Sequence, residues 1–249
     1  RKKDPKFTLI PDAVHPGAGG QAVMASALIA DLGLPARVAT LSISKGDDDR
    51  AAVQAAGGKV SDARFTSEGL EFTFLADGLP FILPQDADVG YGLAKIGHRL
   101  SRDAIEIHGL PSGEYQLFVS LDGSADRLIG TFKSQDLEDS IELQGNAKMP
   151  QHEQAATVVE LNAQRNREAV QPLRMLWRSK KQLARSEKQL KQSPDNKKAK
   201  AEVARLEKEL EDFEGQIKRF EVAATKIEDQ IYQTNQPKPR RYRLIRQGT

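Results

Sequence analysis

The sequence predicts an α+β protein built in successive parts. These are a strand-loop-helix segment, an antiparallel β sandwich-like region and a long antiparallel helical coiled-coil hairpin. Three observations carry the prediction: an apolar strand end before a glycine-rich loop, then short strands separated by turn residues, then apolar residues at heptad spacing. The predicted boundaries are 1–35, 36–148 and 149–235, with a basic tail at 236–249.

Composition restricts the classes of protein that fit. The 249 residues suffice for two or more structural units, and a net charge of +2 argues against a general polyanion binder, so no nucleic-acid partner is favoured. The chain has no cysteine, which excludes disulfides and thiolate metal sites, and its histidines show no metal-ligand spacing. We therefore expect no metal and no cofactor. No apolar run approaches the length of a membrane span.

The first part is the stretch from Phe7 to Leu32. It begins with an apolar strand end, continues through a loop rich in proline and glycine, and closes with an amphipathic helix predicted over 21–32. Asp12 and His15 lie where the strand gives way to the helix. The carboxyl end of a strand in an α/β sheet is where ligands and chemistry are usually found.

The D-x-x-H spacing of Asp12 and His15 has a chemical use. A carboxylate can hold one ring nitrogen of an imidazole, which fixes its tautomer and frees the other nitrogen to take a proton from a serine hydroxyl. The alternative is a turn in which Asp12 caps the loop or the helix and His15 is an ordinary surface residue. For the spacing alone, the turn is the better explanation.

The longer stretch IPDAVHPGAGGQAVMASAL resembles the last conserved block of the SGNH (GDSL-type) hydrolases, where D-x-x-H-P is followed by glycine and the closing helix. The resemblance implies that Asp12 and His15 are the catalytic acid and base of a Ser-His-Asp triad. In that family the serine lies in an earlier G-D-S block. No serine precedes Asp12 here, and G-D-S occurs nowhere in the chain.

The resemblance therefore implies a C-terminal part of a longer, exported bacterial ester hydrolase. Its substrate would be an acylated carbohydrate or another small acyl ester, and the isolated chain would be inactive because it lacks the nucleophile. The alternative is a non-catalytic structural or interaction protein, which would use the β region and the hairpin to bind a partner.

The middle of the chain reads as short strands. The first is predicted over 37–44, and the others share alternating apolar residues bounded by turn residues: 60–65, 70–75, 81–83, 104–108, 115–121, 128–132 and 140–143. The piece IEIHGLPSGEYQLFVSLDGSADRLIGTF looks like the accessory β region that follows the hydrolase block in some bacterial members of that family.

The last part is predicted to be helical from Gln151 to Tyr232. Apolar residues from Ala199 to Ile231 alternate at spacings of four and three, the a/d pattern of a coiled coil about 50 Å long. Pro194 and its neighbours predict a turn before this arm. The preceding arm is basic and the following one more acidic, so we expect pairing within the chain, although the seam also allows a coiled-coil partner or self-association.

The basic tail leaves two alternatives open. Its cations, interleaved with Tyr242 and Leu244, are compatible with an anionic polymer or lipid head groups. The alternate spacing of those two apolar residues is equally compatible with a strand that packs back on the β region.

Overall fold

The structure is a computed structural model that describes residues 8–34, 37–46, 50–121 and 124–248. It divides into two compact units, one formed by residues up to Val159 together with those from Thr234 onward, and the other by Glu160–Gln233. None of the helices in these described ranges is both long and apolar enough to cross a membrane.

The first unit contains nine strands and several helices within its described residues. The strands are β1 (Arg37–Lys45), β2 (Ala51–Ala56), β3 (Gly58–Phe65), β4 (Gly69–Ala76), β5 (Arg102–His108), β6 (Glu114–Leu121), β7 (Arg127–Lys133), β8 (Ile141–Glu142) and β9 (Arg240–Arg246). The helices are α1 (Ala18–Asp31), α2 (Asp88–Leu93), α3 (Ile96–Leu100), α4 (Ser134–Glu138) and most of α5 (Pro150–Arg165), with a 3-10 turn at Gln85–Ala87.

The strands form two sheets that share one hydrophobic core. The first sheet has the order β2-β1-β5-β8, and β1 pairs with β5 in parallel. The second sheet has the order β3-β4-β9-β6-β7, with every neighbouring pair antiparallel. The α+β class agrees with this architecture, but the predicted antiparallel sandwich is wrong. A purely antiparallel arrangement fails because β1 pairs with β5 in parallel. Parallel pairing requires a long crossover between the two strands, which here runs through β2–β4, α2 and α3.

Strand β9 comes from the basic tail and lies inside the second sheet, between β4 and β6. Of the two alternatives for the tail, the structure therefore agrees with a strand that packs on the β region. Tyr242 and Leu244 are buried, and the Tyr242 ring stacks on Phe72 with centroids 4.6 Å apart. Arg241 and Arg243 alternate with these two residues and are less buried, and Arg243 pairs with Asp126.

A buried polar cluster joins α5, β5 and β9. Gln151 donates from Nε2 to Asp103 Oδ2 at 3.0 Å, and Arg240 is buried nearby with Nε and Nη2 unpaired. Burial raises the pKa of the Asp103 carboxyl, while the charge of Arg240 and the Gln151 hydrogen bond act in the opposite direction. This cluster ties the tail strand to the body of the first unit.

The second unit consists of the end of α5, a π-helical turn at Asn166–Val170, α6 (Gln171–Gln192), α7 (Lys197–Glu209) and α8 (Phe213–Thr234). Asn196 caps the N-terminus of α7, and its Oδ1 accepts the amides of Lys198 and Ala199 at 3.1 Å each. The turn between α6 and α7 thus lies where Pro194 predicts it.

The predicted long coiled-coil hairpin is wrong, because its second arm is two helices. Helix α7 ends at Glu209, whose carbonyl accepts the Gln216 side-chain amide at 2.9 Å, and α8 begins at Phe213. A Cβ on Gly215 would lie 2.3 Å from Asp212 Oδ1, so the carboxylate rests against the glycine at the start of α8. Aspartate favours helix starts and glycine weakens helix interiors, which explains a break that heptad spacing does not register.

Helices α6 and α7 pack against each other, and Ser179 Oγ donates to Glu209 Oε1 at 2.5 Å, but among the described residues no ion pair joins the basic arm to the acidic arm. Arg205 pairs with Glu202 and Glu209 of its own helix, and Arg219 pairs with Asp212. The outward cations of α6 make no ion pair with any residue that the structure describes: Arg174, Arg178, Lys181, Arg185 and Lys188. The acids of the second arm that do form ion pairs, Glu202, Glu209 and Asp212, therefore pair with Arg205 and Arg219 and not with the cations of α6.

Candidate functional site

Asp12 and His15 form a contact pair in the loop before α1. Asp12 Oδ2 lies 2.6 Å from His15 Nδ1, while Oδ1 accepts the backbone amides of His15 at 2.6 Å and Val14 at 3.0 Å. An ionised carboxylate can only accept hydrogen bonds, so Nδ1 carries the proton in this pair when the imidazole is neutral. The lone pair of the neutral ring is then on Nε2.

The loop geometry is what brings these two side chains together. Ala13 has a left-handed backbone with φ of 62°, and its amide donates to Ile10 O at 3.2 Å, so the chain turns sharply between Asp12 and His15. The Gly17 amide then donates to Leu9 O at 3.0 Å and closes the loop. The residues Thr8–Ile10 are not a strand, contrary to prediction, and Phe7 lies outside the described residues.

Glycines fix the start of α1 against this loop. A Cβ on Gly20 would lie 2.5 Å from Leu9 O, and one on Gly90 of α2 would lie 2.0 Å from Gly19 O. Only glycine permits these approaches. Helix α1 therefore packs on α2 by direct backbone contact, with Ala22 and Ile96 in a small core beside it.

The Asp12–His15 pair keeps its carboxylate ionised and is exposed to water. Hydrogen bonds from the His15 amide, the His15 imidazole and the Val14 amide lower the pKa of Asp12 from 3.8 to about 2, so the carboxylate stays charged in all but strong acid. The side chain of His15 is 81% exposed and that of Asp12 55% exposed. Nε2 has no hydrogen-bond partner among the described residues, and no serine hydroxyl contacts it there.

Two further histidine–carboxylate pairs occur, and the sequence did not single them out. His98 Nδ1 lies 2.6 Å from Glu142 Oε1, and His108 Nε2 lies 2.5 Å from Glu106 Oε1. Their partners are far apart in the sequence or in alternate positions of a strand, so no short motif marks them. Within the described ranges no group of three or more His, Cys, Asp or Glu side chains could hold a metal ion.

Comparisons with known proteins give one informative similarity. No protein-family model matches the chain, and no curated protein does. Among solved structures, the chain is similar to a gut microbial diltiazem-metabolizing enzyme, with a TM-score of 0.77 and 23% sequence identity. The match covers 99% of this chain and 58% of that enzyme.

At this identity the likeness shows the fold. The class is thus an α+β protein that shares its architecture with part of that gut microbial enzyme. This chain spans 58% of that enzyme's length, so the activity of the whole enzyme enters only as a proposal.

Proposed function

We propose that this chain is the C-terminal portion of a serine ester hydrolase of the SGNH type, and that Asp12 and His15 are its catalytic acid and base. The single observation that supports the proposal most is the 2.6 Å contact between Asp12 Oδ2 and His15 Nδ1, with Nε2 left open. A carboxylate on Nδ1 and a free Nε2 are what a base needs to deprotonate a serine.

In the proposed reaction, a serine from outside this chain attacks the ester carbonyl while His15 Nε2 takes its proton. The imidazolium is stabilised by Asp12, and it returns the proton to the leaving alcohol, which leaves an acyl-enzyme. Water then attacks the acyl group while His15 takes its proton, the bond to the serine oxygen breaks to release the acid, and His15 returns the proton to the serine. The fold similarity to a diltiazem-metabolizing enzyme is compatible with a small ester as substrate, and we propose an acylated carbohydrate or another small acyl ester.

The upstream coding sequence provides the first test. We expect an in-frame G-D-S block about 150–250 residues earlier, the size of one α/β domain, and an export signal before it. A long in-frame upstream region without a G-D-S block would contradict the proposal. It would favour a binding role without chemistry.

The second test is turnover of p-nitrophenyl acetate and diltiazem. We expect the 249-residue chain alone to be inactive and the longer product to be active, with H15A and D12N lowering kcat/KM by about a thousandfold or more. H98A is the matched control, because His98 makes the same Nδ1–carboxylate contact at 2.6 Å with Glu142. Equal losses in H98A and H15A would count against an assignment to the Asp12 pair.

A further inference from the structure

The first sheet carries an open groove on its outward face. The groove has a volume of about 390 Å³, which lies within the size range of small-molecule sites. Its floor consists of short side chains from β1, β2 and β5: Thr40, Ser42, Ala56 and Ala104. A floor of this kind leaves room above the sheet, and its hydroxyl groups can donate and accept hydrogen bonds.

Two arginines lie side by side at one end of this groove. Arg37 on β1 is the register partner of Arg102 on β5, and both line the groove. The register shifts between Arg37 and Ala39, so a bulge brings Arg37 to the outward face even though Ala39 faces the core. Bulges often re-aim a side chain beside a binding site.

Adjacent like charges on neighbouring strands are unfavourable unless an anion lies between them. Arg37 makes no ion pair with any described residue. Arg102 Nε lies 3.2 Å from Glu142 Oε1 and is buried without a hydrogen bond to any described residue, while the same carboxylate accepts from His98 and Gln144 at 2.6 Å each. The Nη atoms of Arg102 donate no hydrogen bond to a described residue. Two guanidinium groups are therefore available to one ligand.

The rest of the lining suits a hydroxylated ligand. Gln54 adds an amide and Ser140 a hydroxyl to the hydroxyls of Thr40 and Ser42, and none of the described residues that line the groove is aromatic. Ser140 has a left-handed backbone with φ of 83°, a strained conformation of the kind found at binding sites. Glu106, at the other end, is already paired with His108.

We propose that this groove binds a sugar that bears a carboxylate, of the uronic-acid type. The carboxylate binds between Arg37 and Arg102, which offer bidentate donors, and the sugar hydroxyls bind the floor. This site is separate from Asp12 and His15, and it adds recognition of an acidic saccharide to the proposed ester hydrolysis without depending on it.

The test is binding of D-glucuronate to the 249-residue chain, measured by calorimetry and by saturation-transfer NMR. D-glucose and acetate are the matched probes, because each retains one half of the ligand chemistry. We expect D-glucuronate to bind at least tenfold more tightly than either. Equal binding of glucose would overturn the role of the arginines, and equal binding of acetate would reduce the groove to a simple anion site and so overturn the sugar assignment.

Variants locate the site. R37Q removes a side chain without an ion-pair partner among the described residues, so it should weaken glucuronate binding at least tenfold and leave thermal unfolding unchanged. S42V fills the floor of the groove and should also weaken glucuronate binding at least tenfold. It should leave thermal unfolding unchanged, because valine favours strands. The control is R99Q, because Arg99 is exposed on α3 and does not line the groove. Binding that is unaffected by R37Q and S42V would contradict the proposal, whatever the outcome of the ester assay.

Discussion

The carboxylate of Asp12 shows how backbone geometry sets the chemistry of a single exposed residue. Two backbone amides and one imidazole donate to it, although nothing buries it. The largest cause of its lowered pKa is the amide of His15, followed by the imidazole of the same residue. A loop therefore tunes this acid without a hydrophobic pocket.

We predict that Asp12 titrates at about pH 2, against 3.8 for an ordinary aspartate. Because the folded pKa is lowered, the stability that the ionised carboxylate contributes is fully present above pH 3.8 and is lost as the pH falls through about 2, where the carboxylate itself becomes protonated. In H15A the backbone amide remains but the imidazole is gone, so the pKa should rise only part of the way toward 3.8. The measurement is the side-chain carboxyl carbon shift of Asp12 by NMR. An unchanged pKa in H15A would show that the imidazole does not donate to the carboxylate in solution.

At the scale of the element, the turn between β2 and β3 supports the groove end of β1. Gly57 has φ of 77°, and a Cβ there would lie 1.9 Å from the carbonyl oxygen of Val38. Val38 is the residue at the bulge that separates Arg37 from Ala39. The glycine thus permits the close approach that the bulged strand requires.

We predict that G57A lowers the free energy of unfolding by at least about 2 kcal/mol, because it adds left-handed strain to a backbone clash. The control is G78A, where a Cβ would meet nothing within 4 Å, and its effect should stay within about 0.5 kcal/mol. Urea unfolding of both variants gives the comparison. Similar values for the two would mean that β1 relaxes away from the turn at little cost.

The same elements show what local sequence does and does not reveal. Most predicted strands exist because alternation of apolar residues is a local signal, and the turn at Pro194 is local too. The sequence does not predict strand β2, because AAVQAA has weak strand propensity and only its pairing with β1 makes it a strand. The break before Phe213 was missed because heptad spacing continues across two separate helices.

The Asp12–His15 pair and the groove differ in how far the sequence reveals them, again because one depends on local sequence and the other does not. Asp12 and His15 are three residues apart and belong to one short sequence block, so the sequence could suggest their contact through the resemblance of that block, although the spacing alone favours a plain turn. Arg37 and Arg102 come together only because β1 and β5 pair in parallel after a long crossover. The bulge that aligns them also depends on Gly57, which lies in the turn between β2 and β3 and packs against Val38. Contacts of that kind depend on the whole sheet, and no short motif specifies them.

At the scale of the whole molecule, the second unit interrupts the first. The chain leaves the first unit in α5 and returns at Thr234, and the tail then enters the second sheet as β9. Gln154 connects the two points within the first unit: its Nε2 donates to Thr234 O at 2.7 Å and to Gln236 O at 2.6 Å. The exit and the return are therefore close together, as in a domain insertion.

We predict that replacing Glu160–Gln233 by a flexible linker of about eight Gly and Ser residues leaves the first unit folded. Its core needs β9, because Tyr242 and Leu244 are buried in it, but it needs only a connection between Val159 and Thr234. This variant without the second unit, here called the excised protein, should unfold cooperatively in urea. A matched variant that also lacks residues 236–249 should not, because β4 and β6 would lose their shared neighbour.

If the excised protein showed no cooperative transition, the second unit would be required for the first to fold; if both variants unfolded cooperatively, β9 would be dispensable.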